Sequence, residues 1–95
     1  RNLHAIVSLQ RQRGGRTLLL NYPRTKMPCN PEIRRAIAGF AADDDVELAD
    51  LGEALPVLDP RRPAACYGSG FHPNARGYGR IARHVKARLD QLGWL

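Results

Sequence analysis

The sequence predicts an α/β domain with parallel strands, and three observations carry that prediction. Segments of helical and extended character alternate along the chain in the order helix, strand, helix, strand, helix, which implies right-handed crossovers between parallel strands. The first extended segment is a nearly unbroken apolar run, the pattern of a strand covered on both faces. The last segment is a strongly amphipathic helix entered from a glycine-flanked loop that carries a histidine.

The first helix spans Asn2 to Arg13, with Leu3, Ile6 and Val7 as its apolar stripe, and Gly14-Gly15 stops it with a turn. A strand from Arg16 to Tyr22 follows, built on Thr17-Leu18-Leu19-Leu20-Asn21-Tyr22 and ended by Pro23. After the loop Arg24 to Asn30, a second helix begins with Asn30 as its expected cap and Pro31 as its first residue. Glu32 is placed there to meet the positive end of the helix dipole. Ile33, Ala36, Ile37 and Phe40 line one side of this helix, and Asp43-Asp44-Asp45 forms the solvated turn after it. Three consecutive carboxylates cannot all face one metal ion.

The second strand covers Val46 to Leu51 and alternates between a drier and a wetter face, as at a sheet edge. A long loop rich in proline and charge then runs from Gly52 to Gly70, with one helical turn expected near Glu53 to Leu55. Loops of this length in compact domains are usually functional. A strand buried on both faces normally has a neighbour on each edge, and this chain offers the first strand only one. A missing N-terminal half, or another chain, is expected to complete the sheet.

The loop ends in Gly68-Ser69-Gly70-Phe71-His72-Pro73-Asn74. Pro73 holds His72 to extended angles, the glycines permit a close turn, and Asn74 is a good cap for the helix that follows. Tyr78, Ile81, Ala82, Val85, Leu89 and Leu92 recur at helical spacing, and Gly93 supplies the C-cap. An imidazole at such a helix entrance stands where a catalytic base would sit.

The stretch His72-Pro73-Asn74-Ala75-Arg76-Gly77-Tyr78, continued by Ile81-Ala82 and Val85, resembles the last conserved block of the SGNH hydrolases, also called the GDSL esterase/lipase family. The order of helices and strands upstream is similar to the C-terminal half of that family. The resemblance implies a three-layer α/β/α, flavodoxin-like fold, of which residues 1–95 are the C-terminal part of a single domain, with two parallel strands and three helices. It further implies a serine esterase acting on small-molecule, lipid or carbohydrate esters, with His72 as general base and no cofactor. In such a mechanism the histidine takes a proton from a serine hydroxyl during attack on the ester carbonyl and returns it to the leaving alcohol.

Two departures accompany the likeness. Ser69 stands three residues before the histidine, where the family usually has the orienting aspartate, so its hydroxyl or a main-chain carbonyl is left to fix the ring. Nothing in the chain resembles the Gly-Asp-Ser nucleophile block or the oxyanion-hole blocks. The chain alone is therefore expected to be inactive, as a truncated or processed piece. Ser69 is not expected to be the nucleophile, because it lacks the strained strand-to-helix elbow that exposes an attacking serine. Asp50 and Asp59 are substitute candidates for the acid, against strand-end and surface roles. His4 and His84 read as surface residues on helices.

Composition narrows the alternatives. The net charge of +6 invites a nucleic-acid reading, but the arginines are scattered and the few aromatics are not interleaved with them, which argues against stacking on single strands. The alternative to an enzyme is a non-catalytic binding module, either a degenerate hydrolase relative or a basic protein that contacts nucleic acid. No run reaches the roughly 18 apolar residues of a membrane span. Cys29 and Cys66, the only cysteines, do not form a metal-binding pair spacing. Either they join as a disulfide, which would imply an oxidising compartment and secretion, or they are two separate small apolar side chains.

Overall fold

The structure is a computed structural model that describes residues 2–26, 28–57 and 72–95. Its elements are α1 (Asn2–Gln12), β1 (Leu18–Asn21), α2 (Asn30–Asp43), β2 (Glu47–Asp50), α3 (Leu51–Ala54) and α4 (Ala75–Leu92). The architecture is mixed α/β, and β1 and β2 pair in parallel with Leu18, Leu19, Leu20 and Asn21 opposite Glu47, Leu48, Ala49 and Asp50. Both strands are shorter than their apolar patterns suggested. The single helical turn expected near Glu53 begins earlier and becomes α3, a fourth helix, because the Asp50 side chain caps it by accepting from the Gly52 N–H at 2.8 Å.

Local signals explain most of the boundaries. Gly14, at a φ of 73°, takes the left-handed turn that ends α1. The Asn74 side chain accepts from the Gly77 N–H at 3.0 Å and opens α4. Gly93, at a φ of 69°, closes it, while Trp94 N–H reaches back to the Leu89 carbonyl at 3.0 Å. The start of α2 differs from expectation. Cys29, at a φ of 67°, is the N-cap residue without a side-chain cap, and Asn30 is already helical. Asn30 is occupied elsewhere: its amide donates to the Pro23 carbonyl at 3.2 Å and accepts from the Thr25 N–H at 3.0 Å.

The two long flanking helices attach to opposite faces of the sheet. Asn21 and Asp50 are register partners, and both bond to Arg34 of α2. Glu47, three positions before Asp50 and so on the other side of the pleat, bonds Arg88 of α4 at 2.7 Å. The Arg88 Nε also donates to the Leu48 carbonyl at 2.9 Å, fastening α4 to the main chain of β2.

Burial is concentrated around β2. Val7, Ala41, Ala49, Ala54 and Leu55 are the buried apolar side chains among the described residues, and Ile81 of α4 packs on Ala54 and Leu55. Leu20 and Ala49 share a face, yet Ala49 is 1% exposed and Leu20 42%. Cover on that face stops at β2, so the expectation that both faces of β1 are buried is not met within the described residues. Ile33 of α2 and Leu3, Ile6 and Leu9 of α1 are likewise exposed.

The contact face of α4 keeps the half-buried Ile81, Val85, Leu89 and Leu92 that its apolar spacing predicts, but differs at its edges. Gly77 is buried and His84 and Arg88 are half-buried, whereas Tyr78 and Ala82 are exposed. Arg88 joins this face through its bonds to β2. At the other end of the sheet, α1 is held by polar contacts. His4 Nδ1 meets Asp44 Oδ2 at 2.7 Å, and the Arg11 guanidinium donates to the carbonyls of Asp44 and Asp45.

Candidate functional site

Both long helices run against the direction of the strands. Arg34, in the second turn of α2, reaches Asp50 and the Tyr22 carbonyl at the strand ends. In α4, Ile81 lies on the segment just after β2, while Arg88, two turns later, is level with Glu47 and Leu48. The N-terminus of α4 therefore stands at the carboxyl ends of the strands, the edge at which open parallel sheets bind their ligands. His72 lies two residues before the Asn74 cap and is exposed.

Beneath that edge is a polar network centred on Arg34. Its Nη1 donates to the Tyr22 carbonyl and, at 2.8 Å, to Asp50 Oδ1, while Nη2 donates to Asp50 Oδ2 at 2.8 Å. Asn21, which is buried, donates from Nδ2 to the Arg34 carbonyl at 3.1 Å and accepts from the Tyr22 N–H at 2.9 Å. The ends of both strands, the second turn of α2 and the start of α3 are thus joined through one guanidinium. The Arg34 hydrogen bonds hold the Asp50 carboxyl below its usual range, opposed by partial burial and helped by the Gly52 N–H and the Arg24 charge. The same pairing raises the pKa of Arg34.

This network engages one sequence candidate. Asp50 was a substitute for the orienting acid, but its two oxygens receive three donors, from Arg34 and Gly52. These are the contacts of a structural carboxylate at a strand end. Ser69, Asp59 and Cys66 lie outside the described residues, as does most of the loop after Val57. Cys29 is an exposed, free cysteine. His4 is exposed and bonded to Asp44, whereas His84 is half-buried beside β2.

Sequence reasoning missed a groove of about 410 Å³ between β2, α3 and α4, lined by Asp50, Glu53, His84, Arg88 and Gln91 among others. It missed the pairing of Arg34 with Asp50 as well, since 16 residues separate them and no local pattern links them. Among the described residues, no set of three or more histidine, cysteine or carboxylate side chains is grouped to hold a metal ion. None of the helices described is long and apolar enough to cross a membrane.

In comparisons with known proteins, no family model, no curated protein and no solved structure matched the chain.

Proposed function

We propose that this chain is the C-terminal part of an SGNH/GDSL-type serine ester hydrolase of three-layer, flavodoxin-like fold, in which His72 is the general base. The observation that carries the reading is the placement of His72. Its exposed side chain stands at the entrance of α4, at the carboxyl ends of two parallel strands. The attachment of α2 and α4 to opposite faces supports a three-layer arrangement. The uncovered Leu20 supports the need for a further element, which would lie over β1 and pair with its second edge.

In this reading the added portion brings the serine and the oxyanion donors. His72 accepts the serine proton as the ester carbonyl is attacked, and delivers it to the departing alcohol. A serine hydroxyl is too weak an acid to attack unaided at neutral pH. The test is turnover of p-nitrophenyl esters by the longer polypeptide that this reading implies. A fall of roughly 10³-fold or more on His72→Ala, with the fold retained, supports the role. Turnover that His72→Ala leaves unchanged, or a polypeptide with no serine reactive toward a fluorophosphonate, overturns it.

The second reading is a non-catalytic binding module. What favours it is the engagement of Asp50 by Arg34 and Gly52, contacts that suit a structural role at the strand end. Serine labelling with wild-type folding separates the two readings.

A further inference from the structure

The loop that leaves β1 is tied down at three of its first four residues. The Tyr22 N–H donates to Asn21 Oδ1 and the Tyr22 carbonyl accepts from Arg34. The Pro23 carbonyl accepts from Asn30 Nδ2, and the Thr25 N–H donates to Asn30 Oδ1. Two exposed side chains, Tyr22 and Arg24, project from this fixed backbone. The stem of Arg24 lies against Gly52, since a β-carbon added there would come within 3.0 Å of Arg24 Cγ.

Arg24 differs from several other cations of the chain. Arg35 faces Glu32, Lys86 pairs with Asp90, and Arg16 lies 5.5 Å from the centre of the Trp94 ring. The Arg24 charge acts on Asp50, but the hydrogen bonds of that carboxylate come from Arg34 and Gly52. No hydrogen bond or ion pair to the Arg24 guanidinium is formed among the described residues. Arg76 and Arg83 are also exposed, on α4; Arg24 differs from them in being carried at the strand ends by a loop whose neighbouring backbone groups are tied.

We propose that Arg24 binds an oxyanion, the carboxylate or phosphate group of a small-molecule ligand that enters at the carboxyl ends of the strands. Resting on the hydrolase reading, this makes the substrate an ester that also carries a negative charge. The planar guanidinium offers two parallel donors to such a group. Because the loop backbone is already tied, little ordering is left to oppose binding. The Tyr22 ring is the adjacent exposed surface for the uncharged part of the ligand.

The test is a titration of the chain with inorganic phosphate and, separately, with acetate, at fixed pH and ionic strength, followed by backbone amide and arginine Nε shifts. Saturable shifts centred on Tyr22 to Thr25 and Gly52 are expected. Arg24→Gln should weaken them about tenfold, the loss of one charge-assisted hydrogen bond, with Arg24→Lys intermediate and Arg35→Gln unchanged. Saturation by both anions defines a general oxyanion site, and saturation by phosphate alone narrows the ligand to phosphate esters. Non-saturable shifts spread over all the arginines, or equal weakening by Arg24→Gln and Arg35→Gln, would overturn the proposal. His72→Ala should leave phosphate binding intact, so loss of esterase function and loss of this site are read separately.

Discussion

Arg34 grips Asp50 with both terminal nitrogens, each at 2.8 Å, across the carboxyl ends of the two strands. Both side chains are largely withdrawn from solvent, at 16% and 22% exposure, so the pair is less screened than a surface contact. Removing one partner leaves the other desolvated and unanswered. Arg34→Met is expected to destabilise the fold by about 1–3 kcal/mol, between the values for exposed and fully buried pairs, read as a lower midpoint in urea.

The same pair sets an acid limit. Asp50 has its pKa lowered by the Arg34 hydrogen bonds, so the folded state favours the ionised form more than the unfolded chain does. That contribution is fully present above the ordinary carboxylate range, near pH 4, and is lost as pH falls through the lowered value. Urea midpoints of wild type and Asp50→Asn should therefore differ most at neutral pH and converge as the pH drops below about 4. A gap that stays constant down to pH 2 would contradict the assignment.

Two glycines should respond in opposite directions to alanine. A β-carbon at Gly52 would lie 2.8 Å from the Arg34 Nη1, whereas at Gly39, within α2, nothing lies within 4 Å. Gly39→Ala is expected to stabilise by up to about 1 kcal/mol through helix propensity. Gly52→Ala forces the guanidinium aside and should cost about 1–2 kcal/mol, within the range for overpacking. Thermal melts of the two variants check the difference in sign.

Arg88 should be the residue that seats the last helix. It reaches both Glu47 and the Leu48 carbonyl, so Arg88→Ala loses more than its ion pair. A double-mutant cycle with Glu47→Gln isolates the charge contribution, expected at about 0.5–1 kcal/mol because the pair is partly exposed. The remaining loss on Arg88→Ala reports the main-chain contact.

α1 is expected to open more easily than α4. Its apolar residues Leu3, Ile6 and Leu9 are exposed, Val7 is buried, and polar contacts from His4 and Arg11 hold it to the turn after α2. Arg11→Ala should raise amide exchange throughout α1 while leaving α4 protected. Uniform acceleration in both helices would show that they open as one unit.

Local chemistry was the legible part of this chain. Asn74 and Gly93 act within a few residues of themselves, and the ends of α4 fall where those two residues imply. Asn30 carries a similar capping signal, but contacts to Pro23 and Thr25 recruit it to brace the preceding loop. The candidate site divides in the same way. The approach to His72 can be read from the residues around it, whereas the Arg34 to Asp50 pair depends on two segments meeting in space. The apolar run of β1 correctly marked a strand, but a strand's pattern records the cover it is suited to, not the cover one chain supplies.

The contrast between Leu20 and Ala49 on a shared face has a practical side for handling the protein. A strand with an exposed leucine and an edge left unpaired among the described residues attracts any extended segment it meets, including the same strand in another molecule. Dilution, or co-production with a polypeptide that caps the strand, should preserve solubility better than adjusting salt. Substituting Leu20 with threonine should quieten self-association while keeping the strand's own preference for extended backbone.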